Sequence, residues 1–380
     1  MGTHLNELSV RPVQSPAERQ IFLTFPWRIF KGDPLWVPPL LPDWSERIDP
    51  ARGVFFRRGE AEFWIAWRGK EPVGTICAAE DRQANADRRA RECVFGFFNF
   101  IEDYSVMQAL LNSASQWAAA RRLDTLTGPF NLDYEDGYGI LVEGRDRPPT
   151  LMCGHTPPYY LDFYERRGLQ PARGDNLAFA LDITAETPAL QDLGRMAERV
   201  RARGRFTVRP ADMAHWETEL EQVTELLNRS LAHLPDFRRW PHEVVLSSLA
   251  PFRKIANPEL VLFAEDAGKI VGWLPGLPNL NEVFIHVNGL RHAWDYLSLA
   301  WNLRRRTECL TVKSVLVLPE YWGSGVAILL MAEMIQRARD RGYTWIDASL
   351  TSEDNPRTPA LAARLGAKRY KRYRVYRLNL

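Results

Sequence analysis

Cysteine is scarce in this chain of 380 residues: Cys77, Cys93, Cys153 and Cys309 stand far apart and form no C-x-x-C pair. That spacing excludes a disulfide framework and a thiolate metal site, and it fits a reducing cytoplasm. Histidine is also sparse, with seven residues and no ligand spacing, so no metal is expected. No apolar run approaches the roughly 20 residues a membrane span needs. Residues 1–13 lack the apolar core of a signal peptide. The expected location is the cytoplasm. An excess of one charge is missing too: 49 Lys+Arg against 47 Asp+Glu leave +2. That field is too weak to attract nucleic acid, and no such partner is expected.

What is present points to two domains and an ordinary globular composition, 46% hydrophobic and 25% charged. Thirteen tryptophans is a high count. Most belong in a core or pocket wall, and the rest could serve a greasy substrate or a membrane surface. The chain also repeats itself. Gly69-Lys70-Glu71-Pro72-Val73-Gly74 recurs one residue shorter as Gly268-Lys269-Ile270-Val271-Gly272. Val73 to Val271 and Gly168 to Gly366 are each 198 residues apart. Two landmarks at one offset indicate a duplication.

Each half reads alike. In the first, residues 62–67 and 73–77 are paired strands, 94–100 a buried strand, and 106–122 a helix capped by Ser105. Strand 125–130, a long loop, a helix stopping at Gly168 and strand 177–181 close that half. In the second, 260–264 and 269–274 form the hairpin and 313–318 the central strand. Helix 325–341, strand 345–350, helix 358–365 and strand 372–378 follow. A helix over 190–203 joins the halves, and helix 216–231 opens the second. Strands alternating with helices predict a mixed α/β sheet in each half, with domains at 1–185 and 186–380. Residues 292–306 add an amphipathic segment, with Trp294, Leu297 and Trp301 on one side and Arg304-Arg305-Arg306 at its end. It reads either as a helix packed on the sheet or as an interfacial helix touching anionic lipid at the inner membrane face.

The sharpest chemical signal is Pro319-Glu320-Tyr321-Trp322-Gly323-Ser324-Gly325-Val326-Ala327, between an apolar strand and a helix. Glycines let a backbone approach a ligand, and a helix start offers free N–H groups and a positive dipole end. The stretch resembles the coenzyme A pyrophosphate loop of the GNAT acyltransferases, with Trp322 where that family has Arg or Gln. The whole chain is similar to a bacterial family of double-GNAT proteins. That likeness is carried by residues 25–40 (FPWRIFKGDPLWVPPL), Phe95-Gly96-Phe97-Phe98 and Thr156-Pro157-Pro158-Tyr159-Tyr160. The resemblance implies two tandem GNAT-like domains, each a mixed twisted sheet with flanking helices. It also implies an acyl-CoA co-substrate whose thioester an amine attacks directly.

Carried over residue by residue, the resemblance puts the cofactor at Leu318, Trp322, Gly323, Ser324, Gly325, Val326, Ala327 and, after the next strand, Asn355. The matching first-half loop, Phe100-Ile101-Glu102-Asp103-Tyr104-Ser105-Val106, is acidic and has no glycine, so that half is expected not to bind CoA in the usual way. The family's Tyr in the closing helix is present in the first half as Tyr164 but is Ala362 in the second. Tyr373 is then the candidate acid on the last strand. His286 is the candidate base, since histidine takes a proton readily near neutrality, with Glu135 as the second choice. Asn281 and Asn288 alternate with apolar residues on an expected strand and could orient the substrate, as could Tyr134 in the first-half loop.

The function expected is acyl-CoA-dependent N-acylation of a small-molecule or lipid amine. The resemblance and the Trp/Phe-rich body together suggest a long acyl chain and a sphingoid-type amine. Two rivals stand beside it. One is a tRNA-dependent aminoacyl transferase of paired-GNAT type, which would need a basic groove built from clusters such as Arg88-Arg89 and Arg121-Arg122. The other is a non-catalytic acyl-CoA-binding protein, to which Trp322 and Ala362 lend weight.

Overall fold

The computed structural model describes residues 7–132, 134, 139–234, 237, 239–250, 253, 255–355 and 357–380. The chain forms two compact units. Unit 1 is Met1–Asp175, Val283–Arg304 and Lys371–Leu380; unit 2 is Asn176–Glu282 and Arg305–Tyr370.

The strands in chain order are β1 (Leu8–Pro12), β2 (Gly59–Arg68), β3 (Glu71–Asp81), β4 (Glu92–Phe100), β5 (Thr125–Gly128), β6 (Ile140–Glu143) and β7 (Gln170–Pro171). They continue as β8 (Asn176–Asp182), β9 (Phe206–Pro210), β10 (Val261–Asp266), β11 (Lys269–Pro278), β12 (Cys309–Val312), β13 (Leu316–Val317), β14 (Trp345–Ser352), β15 (Lys368–Arg374) and β16 (Tyr376–Asn379). The repeated Gly-Lys turns fall where a hairpin needs them, between β2 and β3 and between β10 and β11. Gly69 at φ 60° and Gly268 at φ 82° both take the left-handed conformation.

The sheet of unit 1 runs β1-β2-β3-β4-β5-β16-β7. The helix Tyr104–Ala120 lays Val106, Met107, Leu110, Leu111 and Ala114, all fully buried, on this sheet. Each such side chain contributes about 1.5–3 kcal/mol over leaving it exposed. In unit 2, β14 lies between β8, antiparallel, and β12, parallel. From β12 the sheet continues through β11 and β10 to β9, and β13 pairs with β11. The helices Pro188–Arg201 and Val326–Asp340 join one core with these strands.

Two strands depart from the sequence expectation. Strand 177–181, expected to close the first half, is β8 and pairs with β14 in unit 2. The last strand, expected to finish the second half, divides in two. Its first part, β15, starts in unit 2 but pairs with β6 through Arg372, Tyr373 and Arg374, and its second part, β16, pairs with β5 and β7 in unit 1.

The stretches that carry the family likeness meet one another inside unit 1. Asp33 bonds His155 Nε2 at 2.8 Å, just before Thr156-Pro157-Pro158. Phe100 stacks on Tyr160 at 4.2 Å and its N–H donates to the Tyr160 hydroxyl. Tyr159 donates to the Phe100 carbonyl. Their aromatic density is explained by packing: apolar faces bury area while the phenol tips satisfy backbone groups.

Candidate functional site

The glycine stretch is built by local geometry. After β13 the Leu318 N–H donates to Val271 O at 3.0 Å, and a short 3-10 turn, Pro319–Tyr321, leads the chain off the sheet. The Trp322 indole folds back and donates to Val317 O at 2.9 Å. Gly323 (φ 79°) and Gly325 (φ 100°) take left-handed conformations. A Cβ on Gly325 would lie 2.5 Å from Val200 Cγ2, so this glycine also seats the helix start against its neighbour. Gly323 has open space around it.

Gly325 is the N-cap of Val326–Asp340 and offers no side-chain cap; no acid stands in the first turn. The first helical bond is Leu329 N–H to Gly325 O. The N–H groups of Val326, Ala327 and Ile328 therefore have no intrahelical acceptor. They sit at the positive end of the helix dipole, a site suited to phosphate.

A cleft of about 260 Å³ opens there, lined among others by Trp322, Gly323, Gly325, Val326, Ala327 and Asn355. Six of the eight expected cofactor residues thus gather in one place. Leu318 is instead buried beneath the turn, and the Ser324 hydroxyl donates to Tyr321 O. Asn355 has two roles: it lines the cleft, and its Oδ1 accepts the Arg357 N–H at the start of helix Arg357–Arg364. Trp322 carries no charge, but the Arg357 guanidinium carbon stands 4.2 Å above its indole and puts a cation in the cleft wall. Ser230 also lines the cleft, and its buried hydroxyl has no hydrogen-bond partner among the described residues.

Beside the cleft, β12 and β14 run parallel as far as Val312 and Ala348, and the chain after β12 then leaves its partner. Lys313 stands at the parting. Its ammonium donates to Asp347 Oδ2 at 3.0 Å and to Ser349 Oγ at 2.6 Å. Tyr370 donates to Asp347 Oδ1 at 2.7 Å, and Ser349 Oγ donates to Oδ2 at 2.7 Å. The Asp347 side chain is fully buried, so this charge is tolerable only because it is paired and bonded. Behind the network lies a cavity of about 60 Å³, with Lys313 and Ser349 in its wall and Met331, Ala362 and Leu365 enclosing it. Val315, Thr358 and Leu361 line both cleft and cavity. Every lining residue of the two belongs to unit 2. Ala362, where the family's tyrosine is missing, is part of what leaves the cavity open.

The remaining expected residues lie elsewhere. Asn281 is buried and begins the short helix Asn281–Phe284; it is followed by turns, so Asn281, His286 and Asn288 do not alternate along a strand. The chain leaves β11 at Pro278, where Asn279 and Glu282 turn it through an Asn279 Nδ2 to Glu282 Oε1 bond of 3.2 Å. His286 is exposed in unit 1, and Asn288 accepts from Trp27 Nε1 at 2.7 Å. Tyr373 is buried in unit 1 and donates to Gly154 O at 3.1 Å. Tyr134 donates to Glu92 Oε2 at 2.6 Å and packs on Phe130. Glu135 lies outside the described residues. Tyr164 is fully buried among Phe95, Phe98 and Tyr376, and burial drives its phenol well above its ordinary pKa. Among the described residues, no His/Cys/Asp/Glu group is arranged to hold a metal.

The profile of the Acetyltransferase (GNAT) family matches residues 220–367, which contain the glycine turn, the splay and every lining residue of the two cavities except Leu181. That stretch is a GNAT domain. The whole chain has the tandem GNAT fold. It is similar to a tandem GNAT protein from the clavulanic acid biosynthesis pathway, with TM-score 0.58, 15% identity and 98% of each chain covered. It also resembles a GCN5-related N-acetyltransferase from Sphaerobacter thermophilus, with TM-score 0.53 and 16% identity, over 98% of this chain and 95% of that one. In sequence it is 29% identical over 376 residues to a bacterial ceramide synthase of Caulobacter vibrioides (strain NA1000 / CB15N), covering 97% of both. It is 26% identical to Protein YghO of Escherichia coli (strain K12), over 97% of this chain and 94% of that protein. The GNAT match and the ceramide synthase relative support acyl transfer as the activity.

Lys313, Asp347, Ser349, Arg357 and Ser230 escaped the sequence reading. A lysine opening the otherwise apolar run Val315-Leu316-Val317-Leu318 was the available signal, and it resembles any strand-end charge. Arg357 is distant in sequence from the loop it completes.

Proposed function

We propose that the protein transfers an acyl group from acyl-CoA to the amine of a lipid, with a long chain and a sphingoid-type base as the preferred pair. The observation that carries this is the uncapped, acid-free helix start at Gly325, placed in one cleft with Arg357 and leading to the splay. The pyrophosphate takes the N–H groups of residues 325–328 and the charge of Arg357. The thioester enters the splay and the acyl chain starts into the apolar cavity. The amine attacks the thioester carbonyl, a C–N bond forms, the C–S bond breaks, and the thiolate leaves and takes up a proton. Lys313, held by Asp347 and Ser349, stabilises the oxygen that becomes negative. The proton that the amine gives up passes to solvent water. The ceramide synthase relative supports the lipid acceptor.

The test is free-thiol release from acyl-CoA donors of rising chain length against an amine panel that includes a sphingoid base. Release that depends on a lipid amine supports the reading. Tight CoA binding without release to any amine removes it in favour of a binding protein.

A further inference from the structure

The helix Ala293–Asn302 is turned opposite to what its sequence and ordinary core packing require. Its large apolar side chains point to solvent: Trp294 is 65% exposed, Leu297 74% and Trp301 64%, with Tyr296 and Leu303 about half exposed. Its polar residues Asp295 and Asn302 are buried. A helix docked on a core shows the reverse.

The polar side is hydrogen-bonded, mostly within the segment and once to the chain before it. Asp295 accepts the His292 N–H at 3.0 Å as a helix cap. Asn302 Nδ2 donates to Ser298 O at 2.9 Å, and Ser298 Oγ donates to His286 O at 3.0 Å. The helix thus buries its polar side and leaves out the apolar side that packing on a sheet would cover. Among the described residues, no other helix shows large apolar side chains more than half exposed.

Charge decides what covers this face. Arg291 precedes the helix and Arg304-Arg305-Arg306 follow it, all exposed; the one acid between them, Asp295, is buried. The Arg304 guanidinium carbon sits 5.8 Å over the Trp301 ring, so cation and indole form one surface. Tryptophan and leucine flanked by arginine match the boundary between acyl chains and anionic headgroups. No helix of the described residues is long and apolar enough to cross a membrane.

We infer that Ala293–Asn302 is an interfacial helix that seats the protein on an anionic phospholipid surface. The inference rests on the lipid-acceptor reading for its purpose, and on the helix alone for its evidence. The experiment is co-sedimentation of the full chain with phosphatidylglycerol/phosphatidylcholine vesicles, with no donor or acceptor present. The comparison is with Trp294→Ser/Leu297→Ser/Trp301→Ser, whose unchanged melting temperature checks folding. The expected result is binding that falls at least tenfold in the triple variant. Binding should also weaken on phosphatidylcholine alone and in Arg304→Glu/Arg305→Glu. Wild type left in the supernatant, or equal binding by the triple variant, overturns the inference. A wild-type dimer that the triple variant dissolves, with no vesicle binding by either, shows that the face belongs to a second copy and also overturns it. Thiol release to a water-soluble amine is measured separately, so loss of vesicle binding and loss of acyl transfer are told apart.

Discussion

The two units start their long helices from equivalent loops, and the chemistry at the two starts is opposite. In unit 2 the helix begins at Gly325 with no side-chain cap. In unit 1 it begins at Asp103, whose carboxylate accepts the Ser105 N–H at 2.9 Å and pairs with Arg68 at 2.6 Å. The bond from the Ser105 hydroxyl and that arginine hold the Asp103 carboxyl at about 2, so it stays ionised. Unit 1 therefore carries a built-in anion where unit 2 leaves room for one.

The strand pairs differ in the same sense. β4 and β5 part after Val94 and Thr127, and the gap is filled by the chain itself: a Cβ on Gly96 would strike the Phe130 carbonyl, and the Asn131 side chain accepts the Phe97 N–H. In unit 2 the equivalent gap holds Lys313 and leads to a cavity. One fold is thus filled by its own chain in one copy and left open in the other, and few residues make the difference.

That contrast can be broken in several ways. The largest effect is expected at Lys313. Lys313→Met with Asp347→Asn removes both charges and leaves no orphan, and turnover should fall roughly 10²–10³-fold with CoA affinity little changed. Steady-state thiol release beside calorimetry reads the two separately, and unchanged turnover would show that unit 2 does not use its splay.

Giving unit 2 the acidity of unit 1 comes next. Ala327→Glu puts a carboxylate in the first turn and should weaken CoA binding at least about tenfold. It is cleaner than any change at Gly325, which would also collide with Val200. Ala362→Tyr restores the missing family side chain and fills the 60 Å³ cavity. The ratio of kcat/KM for long over short donors should fall, with about 1–3 kcal/mol of stability lost to overpacking.

The smallest effect is in unit 1. Asp103→Ala removes the cap and should cost about 1 kcal/mol without touching CoA affinity. Because the folded carboxyl is held below its ordinary 3.8, at about 2, the wild-type advantage should be complete above pH 4 and fade as pH falls through about 2. Denaturant melts at a series of pH values check this; a difference that grows on acidification would contradict the capping role.

Much of this was legible. The Gly-Lys turns, the glycines at 323 and 325 and the acidic first-half loop are local signals, and each was read from residues within one turn of chain. The helix expected over 106–122 with Ser105 as its cap starts two residues earlier, at Tyr104 with Asp103 as its cap, because both side chains can serve and the carboxylate is the stronger acceptor. Sheet membership was not legible. Residues 177–181 and 372–378 read correctly as strands, yet alternation says only that a segment is extended and nothing about which edge it joins. Lys313 and Arg357 were missed for a related reason: their roles come from partners about 35 residues away in sequence. The His286 stretch was misread because short alternation outweighed the Pro278-Asn279 turn signal.

The placement of β16 bears on how the molecule is made. Residues 376–379 stand between β5 and β7, so unit 1 lacks an interior strand until the whole of unit 2 has been made. The scaffold unit is begun before unit 2 and completed after it. A shortened product ending before Tyr376 would expose the paired edge of β5 and lose Tyr376 from the core around Tyr164. The folding of unit 1 therefore depends on residues made after all of unit 2.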